Sequence, residues 1–362
     1  MTLRLVRMSG LPPGEARARF TWRFSECGAR LRTGEWARHA PSPAYTEAVL
    51  ELARARPHEL LMVLSGEWVV GRAAVVSSCG APSAAALGLF EVDLAAPADA
   101  ATRLLLDAAD EWARANGFLQ IFAPVDVNTW FSYRFSLTPR GRGAAVAPYE
   151  WEPAQPPEYL RLFRSCGFAE AERYATVGLS DALGGVALSG AVRYTARAFR
   201  DAVAAGFRFE RLAGAERVVN LLGELHGLCM DAFRDSPLFE PLPVDLFRRL
   251  YASAAAVREC GLTHVVRDID GRLVGVVFAF ADGDAVIIKT IAVARAARGR
   301  GLSTALTHLV LASGAEADYR TFVTALVRRG NRSELLIRPH LVPGVRRWQH
   351  EYVLLRREAG SP

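Results

Sequence analysis

The chain has 362 residues, more than one typical domain holds and comfortable for two. Apolar residues make up 51% of it, ample for two cores, yet no apolar run approaches the ~18 residues needed to span a bilayer. The net charge of +6 comes from arginines dispersed through an Ala/Arg-rich chain, a compositional bias before it is a nucleic-acid signal, and an acidic protein carrier or a phosphate-rich cofactor would suit it equally.

The segment Met-Thr-Leu-Arg-Leu-Val-Arg-Met at the N-terminus alternates like a strand and lacks a signal peptide's apolar core. Residues 59–65 read as a strand, Gly66-Glu67 as a turn, and a second strand starts at Trp68. A strand over 87–92 follows, then an amphipathic helix carrying Leu105, Ala108, Ala109 and Trp112, then a strand over 118–123 and the triplet Asn128-Thr129-Trp130. Gly184-Gly185 and Ser189-Gly190 mark a linker, and 192–205 a connecting helix. Beyond it, 207–212 alternates as a strand and 216–233 reads as a helix. Pro237, Pro241 and Pro243 mark a loop before a helix over 244–253.

The second half then repeats the first. A strand over 263–267, a turn at Ile269-Asp270-Gly271-Arg272 and a strand from Leu273 match 59–72. A strand over 286–293, a helix over 302–315 and a strand over 321–326 match the next three elements, and Asn331-Arg332-Ser333 matches Asn128-Thr129-Trp130. Four elements in one order at nearly constant offset predict a duplicated α/β domain. Its boundaries fall at 1–180 and 206–362, with 181–205 as linker and connecting helix. The five cysteines (Cys27, Cys79, Cys166, Cys229, Cys260) are odd in number and show no metal or disulfide spacing, so a reduced, cytoplasmic protein without a metal is expected.

The copies differ at one place. Between its strand and helix the second carries Arg298-Gly299-Arg300-Gly301-Leu302-Ser303, where a helix begins and backbone N–H groups lack intrahelical partners. Glycines there let the backbone close on an anion, forming a cradle for pyrophosphate. The turn lacks the third glycine of the dinucleotide fingerprint and the Gly-Lys-Ser/Thr of a P-loop. The first copy has Asp93-Leu94-Ala95-Ala96-Pro97-Ala98-Asp99 instead; its two acids would repel a phosphate. The first copy is therefore expected to bind no such cofactor.

Residues 298–303 resemble the acyl-CoA signature of the GNAT acetyltransferase superfamily, Arg/Gln-x-x-Gly-x-Gly/Ala, with Ser303 in the last small position. The order of elements over 206–362 resembles the whole GNAT fold. The first half is similar to a degenerate copy, ending in a helix and Gly167-Phe168. The chain thus resembles tandem GNAT proteins: two α/β domains, each a twisted, mostly antiparallel mixed sheet flanked by helices.

That resemblance implies N-acyl transfer from acetyl-CoA or another acyl-CoA to an amine of a small molecule, by direct attack on the thioester. It implies that backbone groups of Thr290, Ile291 and Val293 meet the pantetheine arm. Arg298, Gly299, Arg300, Gly301, Leu302 and Ser303 would hold the pyrophosphate. Asn331 would lie beside the arm; it also reads as a helix N-cap, and both readings stand. Where family members carry a base, this strand has Ala285-Val286-Ile287-Ile288-Lys289, leaving Lys289 as a candidate beside the turn residue Asp284. The tyrosine acid of the family would fall at Arg338, and the Gly-Phe ending is replaced by Leu341-Val342-Pro343-Gly344, so Tyr352 is the nearest substitute.

For the substrate, Trp130, Tyr133, Arg134 and Glu152 concentrate aromatic and charged groups in loop-like sequence, joined by Phe233, Phe239 and Glu240 from the loop that in the family borders the acceptor. Recognition of a polar ligand and packing at an interdomain interface use the same residue types. Two further readings remain: transfer from a carrier-borne acyl or aminoacyl donor, and non-catalytic acyl-CoA binding. A monomer is expected, because the tandem already resembles a dimer within one chain, with no membrane or nucleic-acid partner.

Overall fold

The computed structural model describes residues 2–78, 80–138, 146–181, 186–257, 261–331 and 345–360. The chain divides into two compact units, Met1–Arg173 with Pro237–Glu240 and Tyr352–Pro362, and Tyr174–Ser236 with Pro241–Glu351.

The first unit runs β1 (Leu3–Arg7), α1 (Glu15–Leu31), α2 (Pro43–Ala53), β2 (His58–Ser65), β3 (Trp68–Ser77), β4 (Ala84–Val92), α3 (Ala98–Ala115), β5 (Gln120–Ala123), β6 (Phe135–Ser136) and α4 (Pro157–Ser165). Then β7 (Ala169–Asp181) leads out of it. Strands β1 to β4 are antiparallel neighbours, while β4 and β5 are parallel over Ala84–Ala86 and Gln120–Phe122. Local chemistry sets the elements. Gly66 takes φ 59 in the β2–β3 turn, and Ser42 caps α2 by accepting from the Tyr45 N–H, with Pro43 in the first turn. Ala101, Leu105, Ala108 and Ala109 of α3 fall on one face and pack with Leu61, Val63, Leu87 and Phe163 in one core.

The second unit runs α5 (Val186–Ala204), β8 (Arg208–Leu212), α6 (Ala215–Ala232), α7 (Val244–Val257), β9 (Thr263–Arg267), β10 (Leu273–Asp282), β11 (Ala285–Val293), α8 (Leu302–Glu316) and β12 (Thr321–Arg328). It repeats the pattern: β8 to β11 are antiparallel neighbours, and β11 is parallel to β12 over Ala285–Ile288 and Thr321–Thr324. Leu302, Ala305, Leu306 and Val310 of α8 pack with Val266, Val277, Val286 and Ile288.

The divisions expected from sequence shift in three respects. Helix α5 belongs to the second unit, with Leu188, Ala191 and Ala202 in its core, and is no linker. Pro237–Glu240 packs within the first unit. The units also exchange strands. Tyr174 to Ser180 of β7 pair antiparallel with β12 in the second unit. In return, β13 (Val345–Glu358) pairs through Leu355 to Glu358 with β5 in the first unit. There Arg357 is 5% exposed; its guanidinium donates to the Cys166 carbonyl at 2.9 Å and lies 3.2 Å from the Asp110 carboxylate. The linker glycines Gly184 and Gly185, and Cys79 and Cys260, lie outside the described residues. Cys27, Cys166 and Cys229 are free thiols.

Candidate acyl-donor site

In the second unit, β11 stays paired with β10 along its length, from Asp282 opposite Ala285 to Gly275 opposite Val293. One irregularity interrupts the ladder: Phe278 faces Thr290 and Ala279 faces Ile288, so Lys289 is the extra residue of a bulge. The parallel pairing with β12 ends at the same level, Ile288 with Thr324. Beyond it β12 follows β7, with Leu326 at φ 56. The two strands therefore part. Over Thr290–Val293 the β11 edge that faced β12 no longer pairs with that strand. In an antiparallel ladder alternate residues turn N–H and C=O away from the partner, so this edge can pair with an extended ligand arm. Thr290 and Ile291 are half-buried on that stretch.

The turn that follows is built by backbone conformation. Arg298 is extended, Gly299 has φ 81, and Gly301, which caps α8, has φ 72 and ψ 5, the left-handed region open to glycine. A side-chain carbon at Gly299 would meet no heavy atom within 4 Å, and one at Gly301 would meet only Ala198 at 3.7 Å. The glycines thus answer to φ, and the space they leave is open. Leu302, 2% exposed, anchors the start of α8 in the core. The Ala305 N–H takes the Gly301 carbonyl, so the N–H groups before it on the helix remain for an anion. Ser303 is half-buried, and its carbonyl accepts from the Thr307 hydroxyl.

The arginines of the turn divide their work. Arg298 donates to the Ala232 carbonyl at the last residue of α6 and lies 3.6 Å from the Asp235 carboxylate. The Arg295 N–H bonds Asp231 at 2.7 Å, and its guanidinium pairs with Asp235 at 2.9 Å. Both brace the turn against the end of α6. Arg300 is exposed, its guanidinium 5.8 Å from the centre of the Phe207 ring.

Asn331 is exposed just after Gly330 (φ 78), with its N–H on the Arg328 carbonyl at 3.1 Å. The residues it would cap, from Arg332 on, lie outside the described residues, as do Arg338 and 341–344. Lys289 is half-buried at the bulge, where the strands part. Tyr352 belongs to the first unit. It is fully buried, opposite Ser136 of β6 in the first unit's sheet, because the final strand carries it into that core.

The substrate residues expected from sequence also fall differently. In the first unit the Arg134 guanidinium sits 3.7 Å from the centre of the Tyr133 ring, with Arg134 itself 4% exposed. Glu152 is buried and accepts the Tyr149 N–H at 2.7 Å. The Trp130 indole donates to the Glu240 carbonyl at 2.7 Å and meets the Phe239 ring edge-on, with centres 6.0 Å apart. Glu240, 1% exposed, pairs with Arg56 at 2.6 Å. These groups anchor loops, among them the Pro237–Glu240 insertion. Phe233, at the end of α6, belongs to the second unit.

The first unit's counterpart of the parted strands holds what sequence reading missed. Strand β4 bulges at Leu89 (φ 48) and leaves β5 after Ala86. Here the gap is filled by the chain itself. The Val125 N–H bonds the Leu87 carbonyl at 2.8 Å, and the Leu89 N–H bonds the Asp126 carboxylate at 2.6 Å. The other Asp126 oxygen accepts from the Tyr45 hydroxyl at 2.8 Å. Burial holds the Asp126 carboxyl above the usual carboxylate range and lifts the Tyr45 phenol well above its own. Gly88 permits this: a side-chain carbon there would stand 2.2 Å from the Val125 carbonyl oxygen. Below the gap, Arg32 and Glu91 form a buried two-point ion pair, both contacts at 2.7 Å. The signals were a glycine inside an apolar strand and an aspartate just past Pro124.

Among the described residues no cluster of three or more His, Cys, Asp or Glu is placed to hold a metal, and no helix is long and apolar enough to cross a membrane.

Comparison with known proteins adds to this geometry. Residues 190–325 match the family model of the acetyltransferase (GNAT) domain. A search of curated proteins gives no significant match. Among solved structures, a tandem GNAT protein from the clavulanic acid biosynthesis pathway aligns over 100% of both chains at 16% identity and a TM-score of 0.51. A probable N-acyltransferase from Enterococcus faecalis V583 aligns over 99% of this chain and 73% of its own at 9% identity, with a TM-score of 0.52. A GCN5-related N-acetyltransferase from Anabaena variabilis aligns over 99% and 73% at 9% identity, with a TM-score of 0.51. At such identities the likeness is one of fold.

Proposed function

We propose that the second unit, most of which matches the acetyltransferase (GNAT) domain over residues 190–325, is an N-acyltransferase that takes its acyl group from acetyl-CoA or another acyl-CoA. One observation carries the reading: β11 parts from β12 directly before a turn with two left-handed glycines at a helix start, so an arm site and an anion cradle follow each other along the chain.

The residues fit the group. N–H groups at the start of α8, with Gly299, Gly301 and the exposed Arg300, would hold the pyrophosphate, and the β11 edge from Thr290 to Val293 would hold the pantetheine arm. When bound, acyl-CoA supplies an electrophilic thioester carbonyl. The chain's own part is to orient the arm along β11, to offer backbone N–H near Ile291 or Ala292 to the developing oxyanion, and to keep the acceptor amine unprotonated. Lys289, at the bulge, is the candidate for this last task. Tyr352 is buried in the first unit's sheet, and water would supply the proton that the leaving thiolate takes up. The acceptor proposed is an amine of a small molecule, and the working form a monomer.

Calorimetric titration with acetyl-CoA and with free CoA tests this. Micromolar binding at one site per chain is expected. Gly301→Asp puts a side chain and a negative charge at φ 72 in the cradle and should weaken binding at least about a hundredfold, with the circular dichroism unchanged. Unaltered affinity in the variant would refute the cradle. Binding without turnover across an amine library would favour a non-catalytic acyl-CoA-binding role.

A further inference from the structure

Helix α5 runs against α8, and its Ala198 is the nearest neighbour of Gly301 in the cradle. Its buried face is clear: Ala191, Thr195 and Ala202 turn inward, with the Thr195 hydroxyl 3.1 Å from the His308 imidazole on α8. The adjoining face carries Arg193, Arg197 and Arg200, all exposed and spaced four and three residues apart, so they form one stripe. Asp201 is the acid of that stripe, 3.6 Å from Arg197, and both side chains stand in solvent. Tyr194 is 64% exposed beside it. Arg300 extends the positive surface to the turn itself.

We propose that this stripe docks an acidic carrier protein that delivers the acyl group on a phosphopantetheine arm. The inference rests on the reading of the cradle given above and adds a carrier-borne thioester to the donors that the cradle serves. Three arginines over two helical turns span about 10 Å, wider than any single phosphate. A nucleotide would engage one end of the row, whereas an acidic helix laid along α5 would engage all of it. The carrier's arm has one phosphate, which the cradle can take, and its pantetheine is the same chain that the β11 edge accommodates. In the transfer, the C–S bond of the thioester breaks as the C–N bond to the acceptor forms. The amine gives up one proton and the arm leaves as a thiol.

The test compares two probes on the full chain: an acidic acyl carrier protein bearing an acetyl-phosphopantetheine arm, and acetyl-CoA. In the triple variant Arg193→Glu/Arg197→Glu/Arg200→Glu, affinity for the carrier should fall at least about tenfold, and the wild-type complex should weaken steeply with added salt. Affinity for acetyl-CoA should stay within about twofold, which also shows that the variant is folded. Equal loss for both probes would overturn the proposal and assign the arginines to the nucleotide. So would a carrier affinity that the triple variant leaves unchanged, or a wild type that binds acetyl-CoA but not the carrier. If Gly301→Asp leaves acetyl-CoA binding intact, the cradle reading fails on its own evidence, whatever the triple variant does.

Discussion

Both units part their strands at a bulge, yet one gap is closed by its own chain and the other leads into a glycine turn. In the first, Asp126 and Val125 satisfy the N–H of Leu89 and the C=O of Leu87, and only a glycine at 88 leaves room for them. In the second, Thr290–Val293 run on past the last pairing with β12, and the turn beyond has φ values of 81 and 72 at Gly299 and Gly301. A parted pair of strands is therefore not a site in itself. What decides is whether the following loop folds back as an internal ligand, and whether the next helix starts with a nest or with an acid and a proline.

The largest effect should come from the strand the units exchange. Deleting Tyr352–Pro362 removes the β5 partner and the buried Arg357 from the first unit. That unit should fail to fold although the cut lies far from it in sequence; limited proteolysis showing 2–138 still protected would contradict this. Next, Arg32→Met strands a buried Glu91 and should cost about 3–5 kcal/mol in denaturant titration, with acetyl-CoA affinity unchanged. Loss of affinity would mean that the closed gap serves the cradle. Gly88→Ala drives a methyl into the Val125 carbonyl and should cost about 1–3 kcal/mol. Binding should stay at one acetyl-CoA per chain, and a second site appearing in this variant would show the plug to be displaceable.

The smallest effects lie in pH, and they have opposite signs. Asp126 has a folded pKa raised by burial, so the native state holds its proton longer than the unfolded chain. Stability from this group falls as pH rises from about 3.9 toward the folded value. His264, in β9, is pushed down to about 4 by burial, so the unfolded chain takes up the proton first and stability is lost as pH falls through the ordinary value near 6.5. Thermal midpoints from pH 4 to 7 should show Asp126→Asn losing the first dependence and His264→Gln the second. Identical profiles in both variants would show that neither group sets the slope.

The duplicated order of elements was legible because it rests on local patterns: alternation in the strands, helical spacing in α3 and α8, glycines at hairpin turns. The glycine turn was legible for the same reason, since Gly299 and Gly301 announce left-handed backbone without any distant partner. The fate of Tyr352 was not. An alternating strand reads alike whichever sheet takes it, and β13 goes to the first unit by a pairing set hundreds of residues away. For Trp130, Arg134, Glu152 and Glu240 composition alone did not decide, because an aromatic–charge cluster has the same composition in a pocket as in a buried anchor. Only burial separates the two, and here Arg134 is 4% and Glu240 1% exposed. The acids at 93 and 99 set the first copy's turn apart in sequence, but the hydrogen bonds of Asp126 needed three-dimensional pairing to be seen.

The exchanged strand also sets a timetable. During synthesis the first unit emerges early, yet the strand that borders β5 emerges after the whole of the second unit. At ~5–20 residues per second this is a wait of roughly ten to forty seconds, with β5 presenting an open edge to the surroundings. The ribosome thus holds the first unit unfinished while the second, which already has β7 beside β12, can complete itself. The half that comes out first is the half that folds last.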